Sequence, residues 1–171
     1  LRDRNRQLEK TELIGLCRKD MELLSSYYQK EITAMHIAVR TSLPDNPLFI
    51  DGNAEQLGKT IMSLLNNGMY AIAKKYGKKA YPAEIGLALE SKDGQAVIRL
   101  YDNGVGIEQS ILDKIFDPFF TTKTTGEAAG IGLYLSKEII LNHHGQIAVR
   151  SEKDELTEFT ITLPLWEEKS V

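Results

Sequence analysis

Apolar positions along the chain switch between helical and strand spacing. Leu13, Leu16, Leu23, Leu24 and Tyr27 fall near helical intervals and predict a helix with one apolar face through about residue 30. This helix is expected to continue back into the charged start, where Leu1 and Leu8 are too few to set up a coiled coil. Met35, Ile37 and Val39 then alternate with His36, Ala38 and Arg40, which is strand periodicity. Pro44-Asp45-Asn46-Pro47 reads as a turn and residues 48–51 as a short strand. Leu57, Ile61, Leu64, Leu65 and Ile72 mark a long amphipathic helix over about 53–76, ending near Gly77.

Two strands follow at 82–90 and 95–102, joined by a hairpin at Lys92-Asp93-Gly94. A Gly-rich loop, a short helix at 108–115 and a second loop at 117–130 lead to a helix at 132–144, with Gly145 expected as its left-handed cap. Strands at 146–152 and 157–163 close the chain before Pro164. Strands and helices mix without strict alternation, so one α+β domain is expected, a sheet with helices packed on one face.

Length and composition agree. The chain has 171 residues, enough for one core, and its 42% hydrophobic and 26% charged content is that of an ordinary globular domain. Lys+Arg 21 against Asp+Glu 24 gives a net charge of −3, which argues against a nucleic-acid or anionic-membrane surface. Cys17 is the single cysteine; it excludes an intrachain disulfide and fits a reducing compartment. No apolar run approaches the length of a membrane span, and the charged N-terminus does not resemble a signal peptide. The domain is expected in the cytoplasm, with any membrane segment of the intact protein outside this stretch.

Three segments carry candidate chemistry. On the long helix, Ser63, Asn67, Tyr70 and Ala71 share a face distinct from that of Leu57, Ile61 and Leu65. An amide oxygen at Asn67 suits Mg²⁺, a hard cation usually completed by phosphates and water; the bland alternative is a solvated helix-surface Asn. Asp102-Asn103-Gly104-Val105-Gly106-Ile107 follows an apolar strand directly. A carboxylate at a strand end can accept from a ligand's amino group, and the two glycines remove side chains where a flat ring would lie on the backbone; the alternative is a plain turn. Phe116-Asp117-Pro118-Phe119-Phe120-Thr121-Thr122-Lys123 precedes Gly126, Gly130-Ile131-Gly132-Leu133 and a helix. Glycines before a helix N-terminus form an anion site, and Lys123 adds a charge for a terminal phosphate. A merely mobile loop would seldom carry three phenylalanines in five positions, so these rings are expected to be covered.

In this order the segments resemble the histidine-kinase branch of the GHKL ATPases, whose fold is named after Bergerat. Asn67 is similar to the Mg²⁺ ligand of the asparagine box. Asp102, Gly104 and Gly106 match the first glycine box, whose Asp holds the adenine amino group. FDPFFTTK matches the phenylalanine box, and GIGL at 130–133 the second glycine box, which closes a lid over the phosphates. The resemblance covers roughly residues 30–165. It implies a two-layer α/β sandwich with a mixed sheet of about five or six strands, and ATP and Mg²⁺ as ligands. It also implies a nucleotide site of Asn67, Tyr70, Asp102, Gly104, Gly106, Ile107, Thr121, Thr122, Lys123, Gly130, Ile131, Gly132 and Leu133.

The implied activity is transfer of the ATP γ-phosphoryl to a histidine on a separate helical domain of a homodimeric kinase, and from there to a response regulator. Residues 1–30 would then be the remnant of the connection to that domain and 31–171 the catalytic domain. Pro118 to Gly130 would be the lid, hinged by Phe119 and Phe120 anchored in the core. Ser63 departs from the usual Asn, Tyr70 from a common basic residue, and Ala128 and Ala129 replace small or glycine positions at the lid hinge. The rival readings are an ATP-hydrolysing relative, a non-catalytic nucleotide-binding module, and a protein-serine kinase of the anti-sigma type. The hydrolases carry a Glu where Ser63 stands. Two decoys fall away: Gly58-Lys59-Thr60 lacks the P-loop glycine and lies within the amphipathic helix, and His36 lacks the helix and acidic neighbour of a phosphoacceptor.

Overall fold

Five strands build the main sheet, and buried and partly exposed residues alternate most regularly along the last of them, at residues 156–164. The computed structural model describes residues 8–121 and 132–168. In chain order the elements are β1 (Glu9–Glu12), α1 (Leu13–Tyr27), α2 (Gln29–Ala34), β2 (Ala38–Ser42), β3 (Phe49–Gly52), α3 (Ala54–Lys78), β4 (Glu84–Lys92), β5 (Gln95–Asp102), α4 (Gln109–Leu112), α5 (Tyr134–Asn142), β6 (Gln146–Glu152) and β7 (Leu156–Pro164). The sheet order is β2-β4-β5-β7-β6; β2 and β4 run parallel and the other pairs antiparallel. Along β5 the inner face carries Ala96, Ile98, Leu100 and Asp102, all buried. On the outer face Tyr101 lies over Gly86, its register partner, so closely that a Cβ at position 86 would fall 2.4 Å from the Tyr101 ring.

The core fills the space between this inner face and the helices. α3 contributes Leu57, Ile61, Leu64, Leu65, Met69 and Ile72, and α1 adds Leu13, Cys17, Met21 and Leu24. Each such buried side chain stabilises by about 1.5–3 kcal/mol relative to exposure. The result is the expected α+β arrangement, a mixed five-stranded sheet with helices on one face. Among the described residues no helix is long and apolar enough to cross a membrane.

The start of the chain departs from expectation. Glu9–Glu12 is a strand paired antiparallel with β3, and α1 begins at Leu13. The Glu12 carboxylate caps α1, accepting from the N–H groups of Ile14 (2.6 Å) and Gly15 (2.9 Å). It also accepts from Leu48 N–H at 3.3 Å, which ties the cap to the approach of β3. A side chain that satisfies these donors stops the helix from extending backwards. Position 36 also differs: α2 ends at Ala34, and His36 sits exposed with φ 50° in the turn before β2, outside any strand.

The cap of α5 differs as well. Gly145 N–H reaches Ile140 C=O (3.0 Å) and His144 N–H reaches Leu141 C=O (3.0 Å), the two bonds of a Schellman motif. The left-handed residue is therefore His144 (φ 59°), because α5 ends one turn position earlier than the glycine suggests. Gly145 is needed for a different reason: a Cβ there would fall 2.4 Å from the Thr162 carbonyl oxygen. His143 is buried, accepting from Asn53 N–H on Nε2 (3.0 Å) and facing Ile139 C=O through Nδ1 (2.7 Å), so it joins α5 to the start of α3.

Candidate functional site

β5 delivers Asp102 to the inner face at its last position, beneath α3. The side chain is 6% exposed. Oδ1 accepts from Gly104 N–H at 2.9 Å, the donor to this carboxylate among the described residues. Burial pushes the Asp102 carboxyl up to about 7, against the opposing pull of the Gly104 bond and the Lys75 ammonium. Its other oxygen faces α3 at Gly68, where a Cβ would fall 3.2 Å from Oδ2. A glycine inside a helix costs about 1 kcal/mol relative to Ala, and here it makes room for the carboxylate.

The loop after Asp102 is fixed from several sides. Asn103 accepts from Glu84 N–H (2.7 Å) and donates to Pro82 C=O (2.8 Å). Val105 N–H donates to Ala71 C=O (3.2 Å) and Ile107 N–H to Ser151 Oγ (2.8 Å). The two glycines serve this packing more than any open space above the loop. A Cβ at Gly104 would fall 2.5 Å from the Ala71 carbonyl carbon, and one at Gly106 (φ 71°) 2.4 Å from the Glu152 oxygen. The room expected for a ring over Gly104 is taken by α3.

Beside this loop lies a cavity of about 320 Å³, within the range of small-ligand pockets. Asn67, Tyr70 and Ala71 of α3 form one wall; Val105, Gly106 and Ile107 form another. Asp102, Thr157 and Phe159 lie at its base, and Lys74, Lys78 and Lys153 line it as well. Phe116 braces Phe159 edge-on, with centroids 6.3 Å apart. The structure thus brings Asn67, Tyr70, Asp102, Gly106 and Ile107 together in one cavity, with Gly104 packed behind them. Among the described residues no group of three or more His, Cys, Asp or Glu side chains is placed to hold a metal. Asn67 alone offers an amide oxygen, which suits a cation whose shell is completed by phosphate and water.

The remaining expected residues lie elsewhere. Thr121 and Gly132 border a second depression with Phe119, Phe120, Tyr134 and Leu135. Leu133 is fully buried and its N–H donates to Ile115 C=O (3.2 Å), so its side chain packs in the core. It is also the N-cap residue of α5 and has no side-chain acceptor for the helix N–H groups behind it. Thr122, Lys123, Gly130 and Ile131 lie outside the described residues, as do Gly126, Ala128 and Ala129. Of Phe119 and Phe120, expected to anchor the hinge in the core, only Phe120 packs there; Phe116, expected to be covered, packs on the core as well. Phe119 is fully exposed at φ 65°, because its backbone turns the ring outward.

The sequence reading missed Gly68, Lys74, Lys78, Lys153 and Phe159. Gly68 had a signal, a helix-breaking residue directly after Asn67; the lysines, on a helix end and a turn, had none.

The comparisons with known proteins point one way. The family described as histidine kinase-, DNA gyrase B-, and HSP90-like ATPase matches residues 52–167. Sporulation kinase D of Bacillus subtilis (strain 168) is 34% identical over 123 residues, 72% of this chain and 22% of its own length. The signal transduction histidine-protein kinase AtoS of Escherichia coli (strain K12) is 39% identical over 122 residues, 71% of this chain and 19% of its own. This chain therefore spans about a fifth of these relatives. The catalytic domain of histidine kinase ThkA superposes with a TM-score of 0.73 at 21% identity, covering 92% of this chain and 95% of that one, which shows the shared fold. With the family profile aligned from Gly52 through the loop of Asp102 to the end of the sheet, the chain belongs to the histidine kinase-, DNA gyrase B- and HSP90-like ATPases.

Proposed function

We propose that this chain is the ATP-binding catalytic domain of a two-component sensor histidine kinase, transferring the ATP γ-phosphoryl to a histidine on a separate helical domain. The observation that carries the reading is the cavity that unites Asn67 with the buried Asp102 under one fixed loop. Asp102 accepts the adenine amino group, and Ile107 and Phe159 bound the base with apolar surface. Asn67 would hold a Mg²⁺, which would neutralise phosphate charge, and the N-terminus of α5 offers backbone N–H groups to anions. When bound, Mg²⁺-ATP supplies the transferable phosphoryl group, and the domain contributes positioning and charge neutralisation. The acceptor imidazole is itself the nucleophile, so no general base is required here. A downstream response regulator, receiving the phosphoryl group, and a homodimeric intact protein complete the proposal.

Ser63 favours this reading over the hydrolysing relatives. It lies half-buried on α3 one turn before Asn67, and its hydroxyl cannot activate water as a Glu would.

Titration of the chain with Mg²⁺-ATP and Mg²⁺-GTP tests the assignment. Adenine should be preferred, because guanine presents a carbonyl to Asp102. Asp102→Ala should weaken ATP at least about tenfold, the worth of one charge-assisted hydrogen bond. A smaller loss, or equal binding of GTP, would count against it.

A further inference from the structure

Lys75 lies one position off the cavity face of α3, half-buried, among groups that otherwise belong to three separate segments. Its ammonium donates to Asn103 C=O at 3.3 Å and to Asp154 C=O, and lies 4.4 Å from the Tyr81 ring centre. Asn103 opens the loop beyond Asp102, Asp154 sits in the turn between β6 and β7, and Tyr81 precedes β4. Tyr81 is half-buried with its hydroxyl unpartnered, and the Asp102 charge acts on it. One cation therefore closes the wall behind Asp102, whose donor among the described residues is a single backbone N–H. A buried carboxylate with so little hydrogen bonding is costly unless a positive charge is near.

We propose that Lys75 is the positioning residue of the nucleobase pocket: it pins the Asn103 and Asp154 carbonyls together and supplies the charge that lets buried Asp102 stand ready as a hydrogen-bond acceptor. The proposal rests on the reading of Asp102 as the acceptor of the adenine amino group. Lys75 touches no ligand itself and acts through Asp102 and its loop. Other charged groups face the same region: Lys74 and Lys78 from α3, Lys153 and Asp154 from the β6–β7 turn, and Glu108 from the start of α4. Glu108 is paired with Lys153 (3.1 Å), and Glu155 of the same turn lies within the field of Lys75. Burial and the Gly104 bond act most strongly on the Asp102 carboxyl, and the charge of Lys75 acts on it after them, favouring its ionised form.

The test measures Mg²⁺-ADP affinity from pH 6 to 9.5 by calorimetry for the unaltered chain, Lys75→Gln, Lys75→Arg and Asp102→Asn. The unaltered chain should bind more tightly as pH rises through about 7 and then level off. Lys75→Gln keeps a donor for the carbonyls and removes the charge. Its profile should move up by as much as about one pH unit, leaving it up to about fivefold weaker near pH 7 and close to the unaltered chain above pH 9. Lys75→Arg should restore the original profile, and Asp102→Asn should bind weakly with no such pH dependence. A loss in Lys75→Gln that is equal at every pH, or no loss, overturns the proposal while leaving the nucleobase reading intact. Tight, pH-dependent binding by Asp102→Asn would overturn both. Thermal melts supply a second readout that needs no ligand. Lys75→Gln should lower the melting temperature above pH 7 in the unaltered background, and not in the Asp102→Asn background, where no buried charge needs compensation. Equal destabilisation in both backgrounds would show a merely structural lysine.

Discussion

At the scale of single residues, two buried carboxylates illustrate opposite outcomes of the same physics. Asp102 is drawn out of water where a ligand can reach it. Asp20, on α1, is drawn out of water against Gly58 of α3, with one carboxylate oxygen lacking a hydrogen-bond partner among the described residues. Burial pushes Asp20 up to about 6, with Lys19 pulling weakly the other way. A raised folded-state value means that the native chain holds its proton longer than the unfolded chain. Stability is then greatest below the unfolded value, near 4, and is lost as pH rises towards 6. Asp20→Asn, which cannot ionise, should raise stability at pH 7.5 by about 1 kcal/mol after allowance for solvent screening, and have little effect at pH 4.5. Thermal or urea unfolding at the two pH values checks this; a loss at pH 7.5 would show that a stabilising contact holds the charge. Asp102 was legible in the sequence because a Gly-x-Gly follows it. Asp20 was not, since an Asp beside Arg18 and Lys19 on an amphipathic helix gives no sign of being turned inward.

At the scale of elements, periodicity served well where an apolar stripe was long, as on α3, and badly where polar residues did structural tasks. β1 reads Glu-Lys-Thr-Glu, yet it pairs with β3 because backbone hydrogen bonds need no apolar side chain, and Lys10 lies over the rings of Phe49 and Trp166 at 4.5 and 4.0 Å. No short-range pattern announces such a pairing. The end of α5 gives a sharper lesson, because two adjacent residues divide what a capping glycine usually does alone. Gly145→Ala should destabilise by about 1–3 kcal/mol, since its Cβ meets the β7 backbone. His144→Gly should be neutral or stabilising by up to about 1 kcal/mol, because it relieves a left-handed non-glycine residue. Chemical denaturation of both variants decides the matter, and the reverse order would disprove this division of roles.

At the scale of the whole molecule, one core holds together a site whose parts run from Asn67 on α3 to Phe159 on β7, within the residues 52–167 that match the ATPase family. The described histidines suit structural tasks: His143 is buried and bonded at both ring nitrogens, while His36 and His144 sit in turns. Incubated alone with γ-labelled ATP, the chain should therefore remain unlabelled and release phosphate slowly; stable label on His36 would contradict its reading as a turn residue. The loop glycines, the asparagine and the family were readable in the sequence. The arrangement of the two sheet faces was not, and it matters more than its remoteness from the cavity suggests. Tyr101 and Asp102 are neighbours that point to opposite sides, and Tyr101 lies over Gly86, the one glycine of β4, where a Cβ would meet its ring. Sliding β5 by one residue would strand that ring on a side chain and turn Asp102 out to solvent. An aromatic ring on the outer surface thus acts as a lock on strand alignment, and selection for nucleotide recognition would reach across the sheet to a residue that no nucleotide touches.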